Sequence, residues 1–142
     1  EVYAPIAHRL GISNIKEELE DRSLQYLDPV GYNMIRSLLN KHGDEFLNDI
    51  SHHQEHLEQN GIHGATIRHR VKSIYGIYRK MYMQNKDFEE IYDIYAVRII
   101  IDTVAECYTA LGLIHDMTTA ANRFKDYIST PKPNGYQSLH TT

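Results

Sequence analysis

The sequence predicts a mixed α/β protein of the α+β class, in which N-terminal helices precede part of a mixed sheet with flanking helices. Apolar residues keep helical spacing over roughly the first 60 residues, and strand-like runs separated by helix-cap patterns follow them. The chain has 142 residues, of which 42% are hydrophobic and 24% are charged, as is typical of globular domains. No apolar run approaches the roughly 18 residues of a membrane helix, which argues against a transmembrane protein.

The N-terminal region has clear helix start and stop signals. Gly11 breaks the first helical stretch, and Ser13 is a candidate N-cap for the next one. Asp28 and Pro29 predict an N-cap followed by a first helical residue, and Gly61 ends the helical pattern. We expect the polar side of the second helix to face water; its residues are Lys16, Glu17, Glu20 and Asp21.

The remainder of the chain alternates between strand and helix patterns. Residues 66–71 predict a short strand, and Ser73 is a candidate N-cap for the helix after it. The β-branched run at 94–101 predicts a buried central strand. A capping box at 103–106 predicts a helix to about residue 116, and residues 137–140 predict a last strand.

Charge is distributed unevenly along a chain whose net charge is −4. Residues 61–86 hold six basic and no acidic groups, whereas the segments on both sides are acidic. A local basic block of this kind suits a compact polyanion, such as a nucleotide phosphate, better than a long nucleic acid.

The single cysteine and the first residues of the chain both indicate a cytoplasmic location. Cys107 is the single cysteine, lies in an apolar helical pattern and has no partner for an internal disulfide. Nothing at the start resembles a secretion signal. We therefore expect a cytoplasmic protein.

Several histidines lie close together in the N-terminal half. His52 and His56 are four residues apart on a predicted helix, so their rings could share a metal ion. No cysteine or carboxylate completes a recognised ligand spacing, and the neighbouring residues are typical of solvated surface. An exposed polar helix face is the favoured interpretation.

The basic block contains candidate phosphate-binding residues. Strand parity places two of its arginines on one face, and the first lysine lies at the strand-to-helix junction, where helix N–H groups also favour anions. A second lysine lies about two turns further along the predicted helix, and its long side chain can reach back toward this junction. Convergent cations would bind a triphosphate through charge-assisted hydrogen bonds; the alternative is a solvated charged face. The candidates are Arg68, Arg70, Lys72, Arg79 and Lys80.

Asp93 is a candidate metal ligand. It lies at the start of an apolar strand, where an ionised carboxylate needs a compensating positive charge. A strand end beside a phosphate site is a suitable place for a Mg²⁺ ligand. A salt bridge with Arg98 or a helix cap is the alternative.

The last twenty residues combine basic side chains with a stiff, turn-rich loop. Two prolines restrict the backbone, and Asn134-Gly135 permits a tight turn that presents Tyr136. Such a loop can stack a purine on its ring and read the edge of the base, although it can also be a plain hairpin connection. Its other notable residues are Arg123, Lys125, Pro131, Lys132 and Pro133.

Three successive segments resemble the synthetase domain of the RelA/SpoT family of long stringent-response enzymes. These segments are RVKSIYGIYRKM, EEIYDIYAVRIIID and RFKDYISTPKPNGYQSLHTT. The leading YAPIAHRLGISNIKEELEDRSLQYL is similar to the helices that link hydrolase and synthetase domains in that family. The resemblance implies a helical linker region at 1–60 and the N-terminal part of the synthetase domain at 61–142. The implied fold is a nucleotidyltransferase-like mixed sheet. Gly76 stands where the family commonly has Ser.

The resemblance also implies an activity, that of a GTP pyrophosphokinase (GTP diphosphokinase). ATP would donate its β,γ-diphosphate to the 3′-hydroxyl of GTP or GDP, with Mg²⁺ or alternatively Mn²⁺ as cofactor. The implied ATP-binding residues are Arg70, Lys72 and Lys80, and the implied metal ligand is Asp93. The implied guanine-nucleotide residues are Lys132, Asn134, Tyr136 and His140.

The motif Arg123-Phe124-Lys125-Asp126 resembles the basic R-x-K-D variant of bifunctional synthetase-hydrolases. The resemblance implies a catalytic loop containing Arg123, Lys125 and Asp126. Two cations in this loop would supply positive charge in place of a second Mg²⁺.

Other functions stay open at this point. We expect the family's catalytic Glu, in a Glu-x-Gln-x-Arg motif, to lie beyond Thr142, so a non-catalytic nucleotide-binding or regulatory module is the alternative function. RNA binding through residues 61–86 is disfavoured by the acidic remainder of the chain. Regulatory domains or the ribosome are expected partners only for other parts of the parent protein, and no membrane partner is expected.

Overall fold

A computed structural model describes residues 2–118 and 123–142 of the chain. Its elements confirm the predicted mixed α+β class. The helices are α1 (Tyr3–Arg9), α2 (Ser13–Leu27), α3 (Pro29–Gln59), α4 (Ile74–Tyr78) and α5 (Val104–Met117), with a π-helical turn at Arg79–Met83 and a 3₁₀ turn at Phe88–Glu90. The strands are β1 (Thr66–Val71), β2 (Tyr95–Ile100), β3 (Lys125–Asp126) and β4 (Leu139–His140). Although α3 has 31 residues, neither it nor another helix of the described ranges is both long and apolar enough to cross a membrane.

Most of the predicted helix boundaries are confirmed. Gly11 separates α1 from α2 with a left-handed φ of 73°, and Gly61 follows α3 with a φ of 85°. The Asp28 carboxylate accepts a hydrogen bond of 2.9 Å from the N–H of Gly31, so Asp28 caps α3 as expected. Ser13 is the exception, because it is the first residue of α2 and Ile12 occupies the N-cap position.

The chain forms two compact units. The first comprises residues 1–46 and 70–96, and the second comprises residues 47–69 and 97–142. The predicted family-domain division at residue 60 stays a prediction. In the first unit, α3 packs against α4 and the segment before β2; the buried side chains are Ile35, Ile77, Phe88, Ile91 and Ile94.

The second unit has a smaller core, formed where the end of α3 packs against α5. Leu57, Ile62 and Ala110 are buried there, and Ile67 of β1 and Ile99 of β2 pack beside them. Burial of these apolar surfaces holds α5 in place ahead of the closing loop.

The expectation that residues 94–101 form a buried central strand is wrong. Within the described ranges β2 is hydrogen-bonded only to β1, in a two-stranded sheet. Its Val97 and Ile100 are 38% and 43% exposed. A β-branched run favours extended backbone whether or not both faces are covered, so the composition of the run could not establish burial. The last predicted strand is also shorter than expected, because β4 contains only the last two of residues 137–140.

The start of α4 is capped by side chains from two places in the sequence. Ser73 accepts from the N–H of Gly76 at 3.2 Å, which confirms it as the N-cap. The carboxylate of Asp21, on α2, accepts from the N–H groups of Ile74 and Tyr75 at 3.3 and 2.7 Å. The N–H groups at this junction were expected to favour anions, and in the structure the Asp21 carboxylate of the protein itself accepts from them.

The environment of Asp21 favours its neutral form. Burial raises the pKa of this carboxyl above its usual 3.8, and the two backbone hydrogen bonds offset that effect only in part. A neutral acceptor in the same position would keep the cap without the cost of desolvating a charge.

We therefore expect Asp21→Ala and Asp21→Asn to differ. Loss of a helix cap costs about 1 kcal/mol, so alanine should speed local amide exchange in residues 74–83 by about fivefold. Asparagine keeps an acceptor oxygen and should change exchange by less than about twofold. Hydrogen exchange with peptide-level mass spectrometry measures both. Asp44→Ala, at an exposed position on α3, is the control, and equal acceleration by alanine and asparagine at position 21 would contradict the capping role.

Candidate functional site

Three of the predicted site residues meet in the first unit. Lys72 follows β1, Lys80 lies on the π-helical turn after α4, and Asp93 lies just before β2. The ammonium group of Lys72 donates to Asp93 Oδ2 at 2.9 Å, and that of Lys80 donates to Asp93 Oδ1 at 2.7 Å. Asp93 thus forms a salt bridge, as the alternative interpretation expected, but its partners are these two lysines and not Arg98.

Local backbone geometry makes this meeting possible. The N–H of Lys72 donates to the carbonyl of Ile94 at 2.8 Å, which ties the end of β1 to the residue that follows Asp93. A Cβ added at Gly76 would lie 3.2 Å from both Cγ and Cε of Lys72. Glycine therefore leaves room for the aliphatic part of Lys72 to pass the first turn of α4.

The two lysines determine the charge state of Asp93. Its partial burial would by itself raise the carboxyl pKa, but the hydrogen bonds from Lys80 and Lys72 outweigh that effect and hold the pKa at about 2. Because the folded pKa is below the usual 3.8, the ion pairs add stability above about pH 4 and lose it as the pH falls toward 2. Asp93 is therefore fully ionised at neutral pH.

A cleft of about 280 Å³ lies beside these lysines in the first unit. Four of the five predicted phosphate-binding cations line it, while α2 contributes acidic residues. The lining comprises Lys16, Glu17, Glu20, Arg70, Lys72, Ser73, Tyr75, Gly76, Arg79, Lys80 and Gln84. Arg68 belongs instead to the second unit and is exposed on β1.

The α2 helix supplies two interactions that the sequence reasoning missed. Glu17 accepts a hydrogen bond from the guanidinium of Arg70, and Lys16 pairs with Glu20 at 3.5 Å. Glu17 was expected to face water because its position on an amphipathic helix is polar. Its partner lies 53 residues away, so no local signal in the sequence identifies the contact.

Asp93 can hold Mg²⁺ only together with other ligands. Among residues 2–118 and 123–142, no cluster of three His, Cys, Asp or Glu side chains has metal-binding geometry, and this includes His52 and His56. Mg²⁺ in phosphate-transfer sites commonly has one or two carboxylates, substrate phosphates and water as ligands. The single carboxylate beside a cationic cleft fits a Mg²⁺ shared with a phosphate ligand.

The second unit contains the predicted guanine-nucleotide loop. Antiparallel pairing places Lys125 opposite His140 and Asp126 opposite Leu139, so it joins the R-x-K-D motif to the end of the loop. Gly135 has a left-handed φ of 78°, and the side-chain oxygen of Asn134 accepts from the N–H of Tyr136 at 3.2 Å. The predicted turn is therefore present, and Asn134 stabilises it.

Aromatic rings and one cation cluster on this loop. The Lys132 ammonium lies 4.6 Å from the ring centroid of Tyr127 and 5.1 Å from that of Tyr136. The Tyr136 hydroxyl lies 3.1 Å from His140 Nε2, and the rings of Tyr127 and His140 meet edge to face at 5.3 Å. The structure thus brings together Lys132, Tyr136 and His140, and adds Tyr127. A second aromatic residue directly after the R-x-K-D motif was the signal that could have identified it.

Asp126 makes several hydrogen bonds around the turn after β3. Its carboxylate accepts from the Tyr108 hydroxyl at 2.8 Å and from the N–H groups of Ile128 and Ser129 at 2.9 and 2.8 Å. The N–H of Ser129 is the main reason that the pKa of Asp126 lies below its usual range. Arg123 and Lys125 are exposed. Asp126 therefore stabilises the turn that directly follows the two cations.

Comparison with known proteins finds relatives that align with nearly the whole of this chain. The chain is 49% identical over 149 residues to a probable guanosine-3′,5′-bis(diphosphate) 3′-pyrophosphohydrolase of Synechocystis sp., 46% over 147 residues to a GTP pyrophosphokinase of Myxococcus xanthus, and 40% over 145 residues to one of Escherichia coli. These alignments include 100%, 100% and 99% of this chain but only 19% of each relative. The chain thus spans about a fifth of the length of the curated relatives it matches.

A family model described as the region found in RelA/SpoT proteins matches residues 69–142, which is just over half of the chain. The matched region begins in β1 and includes Lys72, Lys80, Asp93 and the whole closing loop. This chain therefore belongs to the RelA/SpoT family.

Proposed function

We propose that this chain supplies substrate-binding parts of a GTP pyrophosphokinase, which transfers diphosphate from ATP to the 3′-hydroxyl of GTP or GDP. The observation that carries the proposal is the convergence of Lys72 and Lys80 on one ionised carboxylate, Asp93, beside a cationic cleft. Further support comes from the relatives that are named GTP pyrophosphokinase.

In this proposal the cleft of the first unit binds the ATP phosphates. Arg70, Lys72, Arg79 and Lys80 line a volume of about 280 Å³, close to the lower limit of about 300 Å³ for small-molecule sites. Phosphate oxygens accept strong charge-assisted hydrogen bonds from such groups, and the planar guanidinium of Arg70 can offer two at once. Because cations outnumber the two glutamates in its lining, the charge of this cleft suits a triphosphate chain.

Asp93 would hold a Mg²⁺ or Mn²⁺ ion that the phosphates also bind, and that ion would add positive charge beside the transferred phosphorus. For this role the carboxylate must be ionised. The hydrogen bonds from Lys72 and Lys80 keep it so, since they hold its pKa at about 2. The same two lysines thus serve both the phosphates and the metal ligand.

The loop of the second unit would bind the guanine nucleotide. Tyr136 is 40% exposed and offers a ring on which a base can stack. Its backbone N–H donates a hydrogen bond to the side-chain oxygen of Asn134, its hydroxyl is hydrogen-bonded to His140, and Lys132 lies over its ring. Tyr127 packs against His140 and would hold this arrangement in place before the nucleotide arrives.

The chemistry that the proposal requires is a displacement at phosphorus. The 3′-hydroxyl of the guanine nucleotide loses its proton to a base or to solvent water, and its oxygen forms a bond to the β-phosphorus of ATP. The bond from that phosphorus to the α,β-bridging oxygen breaks, and AMP leaves with that oxygen. Catalysis of this kind depends mainly on positioning and on stabilisation of negative charge. Arg123 and Lys125 are the candidates for stabilising the transferred group, and Asp126 stabilises the turn that follows them.

Diphosphate transfer should depend on Asp93. In the full-length gene product, Asp93→Asn removes the proposed metal ligand and should lower synthesis of guanosine tetraphosphate from ATP and GDP by about a hundredfold or more. Chromatographic separation of the nucleotides measures the product. Glu89→Gln, an exposed change four residues away, is the control and should retain synthesis. Undiminished synthesis by the Asp93 variant would refute the assigned role.

Tyr136 should act on the guanine nucleotide and not on ATP. Loss of base stacking costs about 1–3 kcal/mol, so Tyr136→Leu should raise the KM for GDP by about tenfold or more and leave the KM for ATP within about twofold. Tyr136→Phe keeps the ring and loses only the contact with His140, and it should have a smaller effect. Steady-state kinetics with each substrate varied distinguishes the two; equal effects of Leu and Phe would argue against stacking.

Removal of one lysine should change the ionisation of Asp93. In Lys80→Met the strongest hydrogen bond that lowers the carboxyl pKa is absent, so the pKa should rise from about 2 toward or beyond its usual 3.8. Carboxyl carbon chemical shifts of a sample labelled at aspartate, followed with pH, measure this change. Lys86→Met, in the same basic block, should leave the pKa unchanged. An unaltered Asp93 titration in Lys80→Met would contradict the ion-pair geometry.

A further inference from the structure

The paired strands β3 and β4 present different residues on their two faces. Antiparallel pairing places Lys125 opposite His140 and Asp126 opposite Leu139. Because side chains alternate between the faces of a strand, Lys125 and His140 share one face, while Asp126 and Leu139 share the other. Both residues of the first face are exposed, and the proposed function assigns both to the ligands. We call this side the ligand face of the pair.

The opposite face of the pair is attached to α5. The Tyr108 hydroxyl donates to Asp126 Oδ2 at 2.8 Å, and His115 Nε2 lies 2.7 Å from the side-chain oxygen of Thr141. Thr141 lies two residues after Leu139 and so has the strand parity of the face away from the ligands. Tyr108 and His115 are seven residues apart, which places them on one side of the helix. One side of α5 therefore contacts both arms of the pair.

The helix itself is fixed by apolar packing. Ala110 is 5% exposed and packs with Leu57 and Ile62 in the core of the second unit. Removal of these surfaces from water stabilises the position of α5 but gives no direction to the strands beside it. The Tyr108 hydrogen bond is directional, and because its acceptor is a carboxylate it is stronger than a bond between neutral groups. It thus connects this core to the strand that contains Lys125.

Both oxygens of the Asp126 carboxylate accept from protein donors. Oδ1 accepts from the N–H groups of Ile128 and Ser129, and Oδ2 accepts from Tyr108. The N–H of Ser129 and the Tyr108 hydroxyl both lower the pKa of Asp126, and the hydrogen bond to Asp126 raises the pKa of Tyr108. Tyr108 is therefore the protonated donor and Asp126 the ionised acceptor at neutral pH. With its oxygens engaged in this way, Asp126 is suited to fixing β3 against α5.

We propose that Tyr108 is a positioning residue for diphosphate transfer, which acts through Asp126 to hold the neighbouring Lys125 on the ligand face. The inference rests on the proposed function and extends it to α5, a helix that contains none of the predicted site residues. A catalytic cation must stay close to its productive position, because displacement by about 1 Å can lower a rate by roughly a hundredfold. Since Lys125 is a candidate for stabilising the transferred group, the effect of Tyr108 falls on kcat.

The test uses the full-length gene product and Tyr108→Phe, which removes the hydroxyl and keeps the ring. In steady-state synthesis of guanosine tetraphosphate from ATP and GDP, kcat should fall by at least about fivefold, while each KM stays within about twofold. The matched control is Tyr26→Phe, which removes the hydroxyl of a tyrosine on α2 that is 87% exposed and should leave kcat unchanged. A smaller loss in Tyr108→Phe, or a loss that the control shares, would overturn the proposal.

Lys125→Met tests the route by which Tyr108 acts. Once the ammonium group is absent its position no longer matters, so Tyr108→Phe should lower kcat by less than about twofold in the Lys125→Met background. Radiolabelled ATP makes the low rates of this background measurable, and hydrogen exchange of residues 104–117 verifies that α5 is folded in each variant. A general loosening of the second unit would raise the KM for GDP, because Tyr136 belongs to that unit, and it would persist without Lys125. Either of these results would overturn the proposal.

Failure of the proposed function gives a different result. If the unaltered protein forms no guanosine tetraphosphate from ATP and GDP, the proposed function is refuted and this inference with it. If the unaltered protein and Tyr108→Phe form it with equal kcat, the proposed function stands and the positioning role of Tyr108 alone is refuted.

Discussion

The pairing of Asp93 with two lysines is the interaction on which the rest of the first unit depends. It joins the end of β1, the turn after α4 and the start of β2, three segments that are separated in sequence by up to 21 residues. Ion pairs at a protein surface contribute little to stability, so their main effect here is on geometry and charge. They place two cations beside the cleft and keep one carboxylate ionised, which are the properties a phosphate and metal site requires.

The two units use different physical means to prepare a ligand surface. In the first unit, ion pairs between side chains of opposite charge hold those side chains in position beside the cleft. In the second, the closing loop is stabilised by backbone turns and by contacts among Tyr127, Lys132, Tyr136 and His140, with no ion pair among these four. Charge suits recognition of a phosphate chain, whereas an aromatic platform suits a planar base. The proposed donor nucleotide would therefore use the charged cleft, and the proposed acceptor nucleotide would use the aromatic loop.

Features encoded by nearby residues were predictable from the sequence, and those that depend on distant residues were not. The basic block, the position of Asp93 and the turn at Asn134-Gly135 follow from composition and short-range patterns. The contacts of Glu17 with Arg70 and of Asp21 with the start of α4 join residues more than 50 positions apart, and each looks from the sequence like ordinary helix surface. The prediction that β2 is buried failed for a related reason. Burial depends on which other elements cover the strand, and the residues of the strand itself do not determine that.

The N-terminal helices therefore belong to the site in a physical sense, although the family model matches only residues 69–142. Asp21 caps the helix that precedes Lys80, Glu17 holds Arg70, and Asp28 accepts a hydrogen bond of 3.0 Å from Tyr78 on α4. These three acidic residues of α2 and the start of α3 all act on the segment that carries the cations. A displacement of α2 would remove the cap from α4 and free Arg70 together, so the position of this helix can change the charge and the geometry of the cleft at the same time.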